Sequence, residues 1–124
     1  MRTFLTNKMQ KWERWEIWWA NIWLKDRYET PKPRPVLVVS SEVDSSGYIV
    51  CLLITSKRKW SEEDYSIQNW KELGLTKEST ILISLGCFGI RPKDFIGKVS
   101  ELSPHNILEI EDLLKFSSYK VKYI

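Results

Sequence analysis

Two short apolar runs, Pro35-Val36-Leu37-Val38-Val39 and Leu52-Leu53-Ile54, constrain the fold of this chain more than any other feature. Each is nearly uniform in character and rich in β-branched residues, which predicts a strand buried in a core. Each also carries a polar residue at its edge. Arg34 stands just outside the first run, and Thr55 followed by Ser56 closes the second. Two buried strands that each deliver a polar side chain to the rim of a barrel are one way to build a site. Taken alone, Arg34 reads first as the partner of a nearby carboxylate, and Thr55 as an ordinary strand residue.

The rest of the pattern adds short strands around these two. Glu16 to Trp23 predicts a first strand, with four tryptophans between residues 15 and 23, more than one strand face can bury. Residues 24–33 predict a polar loop stiffened by Pro31 and Pro33, followed by strands over 35–41 and 48–56 joined by a hairpin-type turn. Further strands are expected around Tyr65–Gln68, from Thr80 to Leu85, and from Ile96 to Leu102. Gly86 and Gly89 mark a bend between them. Ser103 as N-cap and Pro104 at the first helical position open an amphipathic helix whose apolar face is Ile107, Ile110, Leu113 and Leu114. Residues 116–124 add a strand or fray. This order predicts a mainly β fold, a small barrel with a C-terminal amphipathic helix. Residues 1–14 read as an N-terminal extension with Leu5, Met9 and Trp12 at helical spacing, and 15–124 as a single barrel domain.

Composition narrows the function classes. The chain has 124 residues and a net charge of +3, too small to argue nucleic-acid binding by itself. No window approaches 18 uninterrupted apolar residues and the start lacks a secretory run, so the expected compartment is the cytoplasm, with no membrane partner. Cys51 and Cys87 are isolated and lie in strand-like segments, which predicts buried free thiols. With His105 as the only histidine, no zinc-ligand spacing exists, and neither a metal nor another cofactor is expected. His105 falls in the first turn of the terminal helix, which predicts a surface residue and not a general base. Charge is uneven, however. Lys57, Arg58 and Lys59, capped by Trp60, follow directly on Thr55-Ser56, and basic groups beside an aromatic ring suit a phosphate backbone with stackable bases. A solvated charged loop is the plainer reading of that cluster.

One reaction suits these groups: attack of an RNA 2′-hydroxyl on its own adjacent phosphate. The substrate supplies the nucleophile, so the protein need only position it, move protons and stabilise the charged phosphorane. Arg34 offers a planar fork of donors for the last task, and Thr55 a hydroxyl that donates to a phosphate oxygen. A carboxylate of the preceding loop, Glu29 first and Asp26 next, would act as base.

The residues also carry a resemblance. Trp15-Glu16-Ile17-Trp18-Trp19-Ala20-Asn21-Ile22, Arg34-Pro35-Val36-Leu37-Val38-Val39-Ser40-Ser41 and Ile54-Thr55-Ser56 resemble the first three strands of the MazF/PemK toxin family. Gly74-Leu75-Thr76-Lys77-Glu78-Ser79-Thr80-Ile81-Leu82 and Ile96-Gly97-Lys98-Val99-Ser100-Glu101-Leu102-Ser103 are similar to its later segments, in order, over roughly residues 15–116. The resemblance implies an SH3-like barrel of the CcdB/MazF type and homodimerisation. It also implies metal-independent cleavage of single-stranded RNA and inhibition by a cognate antitoxin, with Arg34 and Thr55 on the catalytic positions. Ser56, Lys57, Arg58, Lys59, Trp60 and Arg91 are the expected RNA-binding residues.

Three departures stand out. Trp15-Glu16 replaces the family's usual Gly-Asp, and Pro31-Lys32-Pro33 replaces a glycine-rich loop. Ser84 to Arg91 replaces a groove-lining stretch, with Arg91 standing in for its arginine in a shifted register. Those changes keep a second expectation open, a barrel that binds RNA or protein without cutting. A gyrase-binding toxin of the same fold is a third, and it has no need of the Arg34–Thr55 pair.

Overall fold

The computed structural model describes residues 12–23, 31–40, 47–56, 61–115 and 121–123. Among them, eight strands and one α-helix follow in the order β1 (Glu16–Ile22), β2 (Lys32–Val38), β3 (Ile49–Thr55), β4 (Tyr65–Ile67), β5 (Ser79–Ile81), β6 (Cys87–Ile90), a 3₁₀ turn (Pro92–Asp94), β7 (Phe95–Glu101), α1 (Pro104–Lys115) and β8 (Val121–Tyr123). The mainly β architecture with one late helix is the one the sequence predicts.

The strands β4-β5-β3-β2-β1-β7 form one antiparallel path, with β6 also paired to β3 and β8 lying parallel to β6. β3 is the node. Its one edge runs along β2, and its other edge is shared between β6 at Ile49–Cys51 and β5 at Ile54–Thr55. A strand flanked this way is buried on both faces, which is why its sequence is a continuous apolar run instead of an alternation. Two cores result. Ile17, Leu37, Leu52 and Ile54 point into one, closed by Ile110 of α1, while Trp18, Val36, Val38, Cys51 and Leu53 point into the other.

Register along β7 slips twice against β1, at Val99 and at Ile96. Each slip is a bulge, which raises local twist and helps a sheet to curl. It also explains why Ile96 is 56% exposed between the half-buried Phe95 and Gly97. On α1, Ile110 is fully buried, and Ile107, Leu113 and Leu114 pack beside it, as the spacing predicts. The hydroxyl of Ser103 accepts from the side-chain amide of Asn106 (2.8 Å), while its carbonyl takes the first helical N–H, from Ile107 (3.0 Å). Asn106 is itself buried, accepting from the Tyr65 hydroxyl and donating to Asn69 (2.7 Å).

Three sequence expectations shift. β2 begins at Lys32 and ends at Val38, not 35–41, because prolines are tolerated where the missing N–H faces away from the paired neighbour. β5 stops at Ile81, and Leu82 to Leu85 turn instead of extending it. The stretch between Gly86 and Gly89, expected to mark a bend, lies in strand β6, which runs from Cys87 to Ile90. Gly86, at φ +85°, makes the turn before it, whereas Gly89 pairs with Val50 inside the strand. Of the N-terminal extension, the described Trp12 packs on Trp18 and Phe95 with ring centroids 5.8 and 5.2 Å away, while Leu5 and Met9 lie outside the described residues.

Candidate functional site

The β2–β3 ladder pairs Val38 with Cys51, Leu37 with Leu52 and Val36 with Leu53. Continued in the same register, two further steps set Arg34 opposite Thr55. Facing residues on one side of an antiparallel pair have Cβ atoms about 4.5–5.5 Å apart. Counted onward in that register, Arg34 falls opposite Thr55, two steps beyond the last pair, Val36–Leu53. By alternation both lie on the face that carries Val36, Val38, Cys51 and Leu53.

The ladder itself stops short of them. Val39 donates to the carbonyl of Val50 (2.9 Å), which shows that the odd-numbered residues of β2 turn their N–H groups toward β3. Pro35 and Pro33 are the next odd residues after Leu37, and neither has an N–H to give. Beyond Val36, β2 remains paired with β1 as far as Ile22–Lys32, while β3 pairs with β5 through Ile54–Ile81 and Thr55–Thr80. A cavity of about 220 Å³ lies where the β2–β3 ladder ends.

The walls of this cavity have a definite chemistry. Trp19, Pro33, Pro35 and Ile54 form its apolar part; Lys32, Arg34 and Lys77 bring cations; Ser56, Thr76 and Ser79 bring hydroxyls. No carboxylate is among the described residues lining it. Such a surface suits a phosphodiester beside a flat ring. Arg34 is half-buried with its Nε shielded from solvent, and Thr55 is 8% exposed; both are held by further interactions of their own. Thr55 is not among the residues that line the cavity, although its neighbours Ile54 and Ser56 are.

Other groups capable of chemistry are placed elsewhere. Glu29, Lys57, Arg58, Lys59 and Trp60 lie outside the described residues. Ser56 is exposed and lines the cavity. Arg91 is remote. It follows β6, donates from Nε to the Tyr48 hydroxyl (3.2 Å), and stands at the Ile49 end of β3. The length of β3 separates it from Thr55, about 20 Å at the usual strand rise. His105 is exposed and pairs with Glu109 at 2.9 Å, as expected of a surface residue. Both cysteines are buried free thiols. Burial pushes Cys87 up to about 11, and burial followed by the nearness of Cys87 pushes Cys51 well above its usual value, so neither supplies a thiolate near neutral pH. Among the described residues, no group of three or more His, Cys, Asp or Glu could hold a metal ion.

Of the wall, sequence reading singled out only Arg34 and Ser56 as site residues. Trp19 belongs to a cluster whose other members are structural, Lys32 hides between two prolines that read as loop, and Lys77 sits in a turn. The one usable signal for Trp19 was parity: it shares a face with Ile17, and Pro35 lies opposite it on β2.

The opposite end of β1 is a different kind of polar site. Glu16, 5% exposed, accepts from the Glu13 N–H (2.9 Å) and the Trp18 indole (2.8 Å), and pairs with Lys98 at 2.9 Å. Burial alone would raise its pKa, but those three donors outweigh it and hold the carboxyl below its ordinary 4.5. Trp15 precedes it at φ +75°, a left-handed conformation that glycine adopts without strain. Trp15 stands where the resembling family has glycine, and its backbone bonds to Val38 (2.7 Å) and Leu102 (2.9 Å) tie three strands together there.

Among solved structures, the chain is similar to an endoribonuclease in complex with its cognate antitoxin from a mycobacterial species. Identity is 12% and the TM-score 0.62, over 86% of this chain and 97% of that one, a likeness of fold. No curated protein matches the chain by sequence. No helix among the described residues is long and apolar enough to cross a membrane. The model of the PemK-like, MazF-like toxins of type II toxin–antitoxin systems matches residues 13–117, and the chain belongs to that family.

Proposed function

We propose that this toxin is a metal-independent endoribonuclease acting on single-stranded RNA at the mouth between β2 and β3. The observation that supports the reading best is the cavity at the end of the β2–β3 ladder, whose walls hold Arg34 with Lys32, Lys77 and the hydroxyls of Ser56, Thr76 and Ser79. In the reaction the 2′-oxygen attacks the adjacent phosphorus. A bond from phosphorus to O2′ forms and the bond to O5′ breaks, leaving a 2′,3′-cyclic phosphate on one fragment and a 5′-hydroxyl on the other. The 2′-hydroxyl proton passes to a base, for which Glu29 in the segment before β2 is the carboxylate of choice, and the departing O5′ takes up a proton. Arg34 donates to the equatorial oxygens as charge builds on them, which is where a fixed donor lowers the barrier most. Thr55 positions a phosphate oxygen through its hydroxyl. Threonine's high pKa suits it to that role better than to proton transfer.

The same reading makes a cognate antitoxin the inhibiting partner, a homodimer the working unit and the cytoplasm the compartment. Lys57, Arg58, Lys59 and Trp60, following directly on the wall residue Ser56, extend the RNA path. Purified protein is expected to cut mixed-sequence RNA undiminished by a chelator, and Arg34→Ala to cut it at least about a hundredfold more slowly. A requirement for added metal, or undiminished cutting by Arg34→Ala, contradicts the reading. One observation favours the alternative of a binding module: Arg91, the expected replacement for a groove arginine, lies at the far end of β3. RNA retained without any cleavage would select it.

A further inference from the structure

We propose that Lys77 is a specificity-determining residue that holds the phosphate next to the scissile one, so that the substrate is an RNA with charged linkages on successive nucleotides. The inference rests on the endoribonuclease reading above and adds a second contact point to it. Near its end β3 alternates between the two cores: Leu52 and Ile54 point into one, Cys51 and Leu53 into the other. By that alternation Thr55 turns toward the Leu53 face, while Ile54 and Ser56 line the cavity. The cavity also spans β3 sideways. β2 pairs along one edge of β3 and β5 along the other. Lys32 and Arg34 come from the β2 side; Thr76, Lys77 and Ser79 come from the segment that enters β5. Neighbouring strands lie about 4.8 Å apart, so the backbones of these two walls stand about 10 Å apart. A phosphodiester carries a single negative charge, and one wall suffices for it. The phosphate that Arg34 and Thr55 hold is served from the β2 side, and the ammonium on the β5 side faces its neighbour along the RNA.

The wall that carries Lys77 is held in place at both ends. Leu73 and Leu75 are buried in the core on either side of Gly74, whose φ of +82° makes the turn between them. Leu75 donates its N–H to the Trp70 carbonyl (3.1 Å), and the Ser100 hydroxyl donates to the Leu73 carbonyl (2.5 Å), which ties the segment to β7. Just before β5 is under way, the buried Ser79 donates its hydroxyl to the Lys77 carbonyl (2.8 Å). A lysine on a backbone fixed in this way, in a cavity with no carboxylate among its described lining residues, presents a point charge to a phosphate oxygen.

The probe is a short single-stranded RNA with a mapped cleavage site, in which the linkage on the 5′ or on the 3′ side of that site is made an uncharged methylphosphonate. With wild-type protein, one of the two substitutions is expected to raise KM about tenfold with kcat nearly unchanged, and which one it is gives the direction of the RNA. Lys77→Gln should raise KM for the unmodified RNA by a similar factor, and the same methylphosphonate should then cost nothing further. Lys77→Arg, which keeps the charge, should recover most of the affinity. Three results overturn the proposal: penalties that multiply in Lys77→Gln, no penalty from either methylphosphonate in wild type, or a fall in kcat with KM unchanged in Lys77→Gln. The last would put Lys77 on the scissile phosphate. Failure of the wild-type protein to cut any RNA would instead sink the endoribonuclease reading. The affinity of a strand lacking 2′-hydroxyls, with each linkage neutralised in turn, would still judge Lys77 by the same comparison.

Discussion

The two ends of β1 handle charge in opposite ways. At its start, the buried carboxylate of Glu16 is met by an N–H, an indole and an ammonium, and a left-handed Trp15 bonds to β2 and to the residue that follows β7. Beside Trp19 and Ala20, the walls carry Lys32, Arg34 and Lys77 with no carboxylate among the described residues. One end neutralises its charge within the frame, and the other gathers cations around a cavity. Burying charge in a closed network serves rigidity, whereas a cationic cavity wall serves a ligand. The family's toxins are built on this fold, and the contrast separates the polar residues of the frame from those of the site.

That contrast can be broken at either end. The largest expected effect is on the frame. Glu16→Ala strips the Glu13 N–H and the Trp18 indole of their acceptor and should cost about 2–3 kcal/mol of stability in chemical denaturation. Cleavage per folded molecule should stay unchanged. The ion pair adds little to that sum, because Lys98 is nearly half exposed. Since the carboxyl titrates lower in the folded chain than in the unfolded one, its contribution is fully present above pH 4.5 and disappears as pH falls below that value. Wild-type stability should therefore drop as the solution is acidified through that range, and Glu16→Gln should flatten this acid limb.

Smaller effects belong to the mouth. Thr55→Val keeps the shape and removes one donor to the phosphate, and is expected to slow single-turnover cleavage about tenfold. Lys32→Gln and Lys77→Gln should each lower the slope of log affinity against log salt by about 1, without shifting the unfolding midpoint. His105→Ala should change neither cleavage nor its pH profile, because the imidazole sits on the outer surface of α1. A loss of cleavage in that variant would move the chemistry away from β2 and β3.

Much of this was legible in the chain. The two apolar runs gave away β2 and β3, which pair in antiparallel register from Val36–Leu53 to Val38–Cys51. Two-sided burial made the strands easy to find, and the spacing of Ile107, Ile110, Leu113 and Leu114 did the same for α1. The prolines misled at β2: a missing N–H ends a strand only when that N–H is needed, and here it faces away from the β1 ladder that holds Lys32 to Pro35 in the sheet. Trp19 could not be separated from Trp15 and Trp18 by composition, since burial and ring stacking draw on the same apolar surface. Glu16 reads as a departure from the family's Gly-Asp until its three donors are seen. Glu29 and the Lys57–Trp60 cluster lie outside the described residues, so the base and the outer RNA path are proposals from the sequence.

The most direct measurement uses one RNA and its twin, identical except for a single 2′-deoxyribose at the position that is cut. If the cavity beside Arg34 is where a substrate hydroxyl attacks its own phosphate, the all-ribose strand is cleaved to a 2′,3′-cyclic phosphate. The twin then binds with equal affinity and stays whole at that position. Cleavage of the twin at the same bond would mean that the nucleophile comes from elsewhere, and the account of this site would fail.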